Sequence, residues 1–299
     1  MSGYSNLYEV PGRRGTIRNR MLAAVITVVF GWLGYMVYAR FDERDQWAAE
    51  KWQPLLRADV WTTFILPGLE GTLKAAGLGI VLAGAFGLVF ATARMSEHAW
   101  IRVPAAAVVE FFRAVPLLLL IFCAFFGSFA ITGTTMSPFA AVVLGLTLYN
   151  GSVIAETLRA GVNSLPKGQA EAARALGMRK SQTMLLVLMP QAIVAMMPAI
   201  VSQFVVLLKD SALGFIVGYD ELVDRGLNGI AANFSNVIPA ALLVAAIFIA
   251  INTALDALAH WLQRRVGAGR GRKVTREPGR GTAAPPPPAA EDSPLAKQL

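Results

Sequence analysis

Long apolar runs separated by short polar ones organise this chain from end to end. Met21 to Ala39 carries no charged residue, and Ala114 to Ala155 is 42 residues without one. As a single helix the longer run would measure roughly 63 Å, about twice the hydrocarbon thickness of a bilayer. It therefore divides into two spans, with the break predicted in the segment Gly127 to Pro138, where Gly, Thr and Pro collect. Read the same way, the remaining runs predict an all-α membrane protein of six transmembrane helices. The first covers residues 21–39, and five more lie at about 68–93, 104–126, 139–157, 185–208 and 237–258.

Details within the runs refine this picture. The first is long, contains Trp32, Tyr35 and Tyr38, and lacks a small-residue cleavage site before Arg40, which favours an uncleaved span over a signal peptide. Phe41 to Trp61 spaces Trp47, Trp52 and Trp61 among acidic residues, the pattern of a helix lying at the interface or of a solvated loop. Gly71, Gly77, Gly79, Gly84 and Gly87 allow another helix to approach the second span closely. Lys74 lies near the outer end of that span. A charge at a helix centre costs about 2.5 to 3.5 kcal/mol on the insertion scale, so Lys74 should snorkel outward or line a cavity. Pro116 is expected to kink the third span, and Asn150 sits inside the fourth as helix-helix glue or as a substrate contact. The half-apolar stretch from Lys209 to Ile230 predicts a short helix tucked against the outer side of the bundle.

Composition agrees with the pattern: 55% hydrophobic and 15% charged residues with a mean hydropathy of +0.53 exclude an ordinary globular domain. The net charge of +8 invites a nucleic-acid reading, but a basic balance in a membrane chain commonly reflects Lys and Arg held in cytoplasmic loops. Residues 1–20, the segment Arg159 to Lys180 and the tail from Arg264 are each net positive. The connections expected outside, Phe41 to Val60, Gly127 to Pro138 and Lys209 to Arg225, are neutral or negative. Positive-inside orientation then places both termini in the cytoplasm, with residues 40–66 outside and a loop at 165–184 inside. Residues 263–299 are Pro-rich and core-poor, the composition of a disordered tail. Cys123 stands alone and His98 and His260 are far apart, so no disulfide, metal cluster or cofactor is expected.

The most structured polar stretch is Gly168 to Pro190, GQAEAARALGMRKSQTMLLVLMP. Glu171, Ala172 and Ala173 open a helix of good formers, and Gly177 suits its C-terminal stop. Small alanines followed by a glycine turn make a compact knob for a groove on another protein. From physics alone, a surface turn without a role is an equal alternative.

This segment resembles the EAA loop of ABC-transporter permeases. The matching positions are Glu171-Ala172-Ala173, Gly177 and Val187-Leu188-Met189-Pro190, with conservative departures at Val187 and Met189. The resemblance extends from about Gly68 to Leu262 through GLEGTLK, EFFRAVP, LYNGSVIAETLRAGVNSLPKGQAEAARALGM, MPQA and LLKDSALGFIVGYDEL. Together these are similar to the polar amino acid permease family, and EFFRAVP, Tyr149-Asn150 and the additional first span resemble actinobacterial glutamate permeases within it. The resemblance implies a type-1 importer core of five helices at residues 67–262 plus one additional N-terminal helix, in the plasma membrane of a bacterium. It implies that Glu171, Ala172, Ala173 and Gly177 seat on a cytosolic ATPase subunit. It also implies a second permease, here in a heterodimer, and an extracytoplasmic solute-binding protein.

No GxxxxGK[ST] phosphate loop occurs in the sequence, so ATP hydrolysis would belong to a partner. Candidate substrate-path residues for glutamate or a related amino acid are Asn150 and Gln203, with Lys74 and Lys209 supplying positive charge near the outer mouth. The competing reading is a self-sufficient channel or gradient-driven transporter, which calls for ionisable relays inside the membrane. Glu110, Arg113, Glu156 and Asp256 fall instead near predicted cytoplasmic ends. A scaffold that only recruits partners is the third reading.

Overall fold

The computed structural model describes residues 12–268, all of whose regular elements are helical. We number the principal helices α1 (Arg13–Asp42), α2 (Leu66–Arg94), α3 (Ala99–Ala114), α4 (Leu117–Thr132), α5 (Pro138–Asn163), α6 (Lys167–Ala175), α7 (Met189–Asp210) and α8 (Val237–Ala268). Wide helical turns at Trp61–Ile65 and Thr183–Leu188 lead into α2 and α7. The apolar helices are therefore longer than the runs that predicted them, at residues 58–94 and 180–217.

Five helices are long and apolar enough to cross a membrane, and a sixth crossing is obtained by taking α3 and α4 together. These two correct the expectation of one kinked span at residues 104–126. They meet at 101° across Val115 and Pro116, both of which have extended backbone. Proline removes a helical donor and pushes the residue before it out of the α region. The kink is consequently a break. The predicted loop at Gly127 to Pro138 also shortens, because α4 continues to Thr132 and stops at Gly133 in the left-handed conformation.

Helix α5 is the central element, packed against α2, α3, α4 and α7. Its contact with α2 is reciprocal. A Cβ on Gly87 would lie 2.5 Å from Ile154 Cγ2, and one on Gly151 would lie 2.8 Å from the Phe86 ring. Gly79 and Gly71 also take close neighbours, whereas Gly77 and Gly84 face open space. Three of the five glycines in the predicted series thus serve packing. The main core gathers Ala75, Ala83, Val109, Ile121, Leu146, Ile154 and Leu207, and a smaller one at the opposite end from α6 joins Leu55, Val60, Ile65, Leu222, Ile230 and Val244.

The segment between α1 and α2, read from sequence as an interfacial helix or a solvated loop, contains only short helical pieces. Ala49–Trp52 is α-helical and is followed by a tight turn at Gln53–Leu56, and a second short helical stretch, Ala58–Val60, leads toward α2. Its indoles are nonetheless anchored: Trp52 donates to the Gln46 carbonyl and Trp61 to that of Leu55. The half-apolar stretch after α7 forms a tight turn at Ser211–Val217 and wide helical turns at Asp224–Gly229, and the short helix that follows, Ile230–Phe234, packs against α8. Helix α1 differs from all the others, for its apolar window has no residue buried in the bundle. The basic N-terminus up to residue 11 and the Pro-rich tail beyond 268 lie outside the described residues. Arg264 to Ala268, expected in the tail, belong to α8.

Candidate functional site

The knob is built by a nine-residue helix with a glycine stop. After α6, Met178 N–H donates to Ala173 O at 3.2 Å and Gly177 N–H to Arg174 O at 2.9 Å. This crossed pair is a Schellman motif, and it needs a left-handed residue at its centre. Gly177 supplies φ +76°, and nothing lies within 4 Å of where its Cβ would be. Conformation and not space therefore selects glycine here.

The four predicted coupling residues divide by orientation. Ala173 is buried toward the bundle, while Glu171, Ala172 and Gly177 face out. Gln191 at the start of α7 donates to Gln169 Oε1 at 3.3 Å and holds α6 from behind. Sequence reasoning did not single out Leu176, an exposed apolar side chain at the tip of the knob. By period it belongs with Ala173 on the inner face, but the helix ends at Ala175 and Leu176 turns outward, 83% exposed. The signal was its position immediately before the glycine stop.

An ionic lattice fixes the span ends behind the knob. Arg94, whose side chain is only 9% exposed, reaches Glu156 at 2.8 Å and Glu110 at 3.3 Å. Arg159 meets Glu156 at 2.6 Å, and Arg113 lies 3.9 Å from it. Three helices are thereby tied at one end. Lys180 bonds Glu97 at 2.9 Å, and this contact holds the Glu97 carboxyl below its ordinary range.

Of the substrate-path candidates, the fold brings two together. Gln203 Nε2 on α7 donates to Asn150 Oδ1 on α5 at 2.7 Å, and Asn150 Nδ2 donates to the Leu146 carbonyl at 3.1 Å. Asn150 is fully buried with both ends of its amide engaged, whereas Gln203 keeps partial exposure. Lys74 is exposed and paired with Glu70 at 2.6 Å. Lys209 is exposed at the end of α7 and has no ion pair among the described residues. Neither lysine bonds the Asn150–Gln203 pair.

At the opposite end from the knob, the predicted motifs GLEGTLK and YDEL close on each other. Tyr219 donates its phenol to the Gly71 carbonyl at 2.8 Å, and Leu222 N–H donates to Thr72 Oγ1 at 3.1 Å. Fully buried Glu221 accepts N–H bonds from Val223 and Asp224, each at 2.9 Å. Burial nevertheless pushes its carboxyl up to about 7. A Cβ on Gly71 would strike the Asp220 carbonyl oxygen, so the clasp closes only around glycine.

An all-helical, multi-pass membrane subunit that presents a small polar knob at one end of its bundle is the class these features define. The family "Binding-protein-dependent transport system inner membrane component" matches residues 79–268, and the chain belongs to it. It is 48% identical over 227 residues to the glutamate transport system permease protein GluD of Corynebacterium glutamicum, a match covering 75% of this chain and 83% of that one. The probable glutamine ABC transporter permease protein GlnP of Bacillus subtilis is 37% identical, covering 68% and 93%. Among solved structures, the crystal structure of an amino acid ABC transporter with histidines aligns with a TM-score of 0.62 and 31% identity, covering 67% of this chain and 92% of that chain.

Proposed function

We propose that this chain is the translocating subunit of an ATP-driven importer for a polar amino acid, glutamate foremost, delivered by an extracytoplasmic binding protein. The observation that carries the reading is the exposed, Schellman-stopped knob at Glu171 to Gly177, present in a chain whose sequence has no phosphate loop of its own. The resemblance to permeases named for glutamate and glutamine supports the substrate class. The knob faces the cytoplasm and seats on an ATPase subunit. Closure of two such subunits on ATP then rocks this bundle against a second, related permease, an alternating-access equilibrium biased by ligand.

Within that mechanism the ionic lattice has a mechanical role. Force applied at α6 must move α2, α3 and α5 together, and Arg94 with Glu156 and Glu110 couples those three ends. Gln203, the partly exposed residue of the two, is the better placed to meet a substrate. The exposed Lys209 adds positive charge on the outer side. Lys74 is already answered by Glu70.

The test is purification of the tagged chain from its native membrane beside a Gly177→Glu variant, followed by reconstitution with labelled glutamate. A P-loop ATPase and a second permease should accompany the original, and ATP-dependent uptake should follow it. The variant should remain in the membrane and lose both the ATPase and the uptake. Uptake by the chain alone without ATP would refute the proposal in favour of gradient-driven transport.

A further inference from the structure

Behind α6 lies a cavity of about 470 Å³ whose lining includes Arg94, Arg159, Lys167, Arg174, Lys180 and Thr183 and contains no acidic residue. Its position is set by span ends: Arg94 closes α2, Arg159 lies in the last turns of α5, and Thr183 opens the run into α7. Such a place is at headgroup depth. Glu97, Glu110 and Glu156 answer Arg94, Arg159 and Lys180 from outside the cavity. Lys167 and Arg174, both on α6, have no ion pair among the described residues.

Two further features point to an anion. The N-terminus of α6 opens beside Lys167, with Pro166 at its cap and no side chain bonding its first-turn N–H groups. A helix start left in this way favours negative charge. Independently, Thr183 is 2% exposed and its Oγ1 has no hydrogen-bond partner. A buried hydroxyl without a partner costs free energy, and a phosphate oxygen at the cavity wall would accept its hydrogen bond.

We propose that this cavity binds a phosphate group, either free or as the headgroup of an anionic lipid from the surrounding bilayer. Basic pockets between membrane helices at the headgroup level suit such groups, and charge-assisted bonds to phosphate are the strong ones. Bound there, the phosphate would bridge Lys167 and Arg174 on α6 to Arg159 and Thr183 on the bundle. It would brace the knob whether or not an ATPase is docked, so the site does not depend on the transport reading.

The chain, with whatever subunits accompany it, is purified in neutral detergent and tested in two arms. One measures equilibrium dialysis against radiolabelled inorganic phosphate. The other exposes the protein to phosphatidylcholine vesicles carrying phosphatidylglycerol, re-solubilises it and counts the retained lipids by mass spectrometry. Native protein should bind saturably in at least one arm. Lys167→Gln/Arg174→Gln should weaken that binding by about tenfold or more, the loss expected when charge-assisted bonds are removed. Thr183→Val should weaken it as well, and Arg102→Gln, an exposed cation outside the cavity, should not. Retention of phosphatidylglycerol alone assigns the lipid headgroup, and binding of inorganic phosphate alone assigns the free ion. Should the double variant fail to fold, the nearly isosteric Thr183→Val carries the comparison. Equal binding by the native protein and Thr183→Val, or no binding in either arm, overturns the proposal.

Discussion

Gln203 and Asn150 lie 53 positions apart in sequence and 2.7 Å apart in space, an amide pair set between α5 and α7 where the neighbouring contacts are apolar. Gln203→Leu should cost about 1 to 3 kcal/mol, because it leaves the Asn150 oxygen buried without a donor. Asn150→Leu combined with Gln203→Leu should recover most of that loss, as replacing both partners removes the stranded group. Thermal unfolding in detergent reads the stability, and labelled-glutamate uptake reads the role. Uptake should stay low in the double variant if Gln203 meets substrate; full recovery would assign the pair to packing alone.

The tip of the knob separates stability from docking. Leu176→Ser should leave the melting temperature unchanged, since the side chain is 83% exposed. Its loss should nevertheless reduce ATPase retention on the affinity column by about tenfold, the scale of an apolar anchor of 1 to 2 kcal/mol. Gly177→Ala should do the reverse in part, lowering stability by about 1 kcal/mol through its left-handed backbone. Unchanged retention with Leu176→Ser would remove Leu176 from the docking surface.

Glu221 carries a pH dependence whose sign follows from its burial. Its folded carboxyl titrates at about 7 against an ordinary 4.5. Between those values the folded chain keeps a proton that the unfolded chain loses. Stability from this group therefore falls as pH rises through that window and is level above it. Carboxylates held low, such as Glu97, slope the other way. The measurement is thus a difference: melting temperature against pH for the native chain and for Glu221→Gln, where the native curve should fall more steeply toward neutrality. Parallel curves would show that Glu221 does not titrate in the window.

Gly71→Ala is expected to open the clasp, because the added methyl collides with the Asp220 carbonyl. Overpacking of this kind costs about 1 to 3 kcal/mol. Hydrogen exchange should rise at residues 219–224 and leave α5 protected. Unaltered protection across the loop would mean that the backbone yields without breaking the Tyr219 and Thr72 bonds.

Much of this architecture was legible in residue pattern, and what was not has identifiable causes. The uncharged runs located the spans because the cost of burying charge in lipid is large and local. The knob was legible because a helix stop is written in a single glycine. The angle between α3 and α4 was not, since Pro116 guarantees a disturbance but the extended backbone of Val115 and Pro116 sets its size. Nor was the clasp, because Tyr219 meets Gly71 across 148 positions and neither motif names the other. The series of five glycines showed that close approach was available, and only the fold distinguishes Gly71, Gly79 and Gly87 from Gly77 and Gly84. The outward turn of Leu176 depended on where the helix stops, a boundary that period alone places poorly.

Helix α1 buries no residue of its apolar window in the bundle, so its effect on the molecule is one of parity. Five crossings starting with α2 would leave the two ends of the helical array on opposite faces of a membrane. With α3 and α4 counted as one, α1 makes the candidate crossings six, the parity at which Arg13 would share a face with the end of α8. A helix whose apolar window adds nothing to the core would thereby set the face from which the chain enters the bundle.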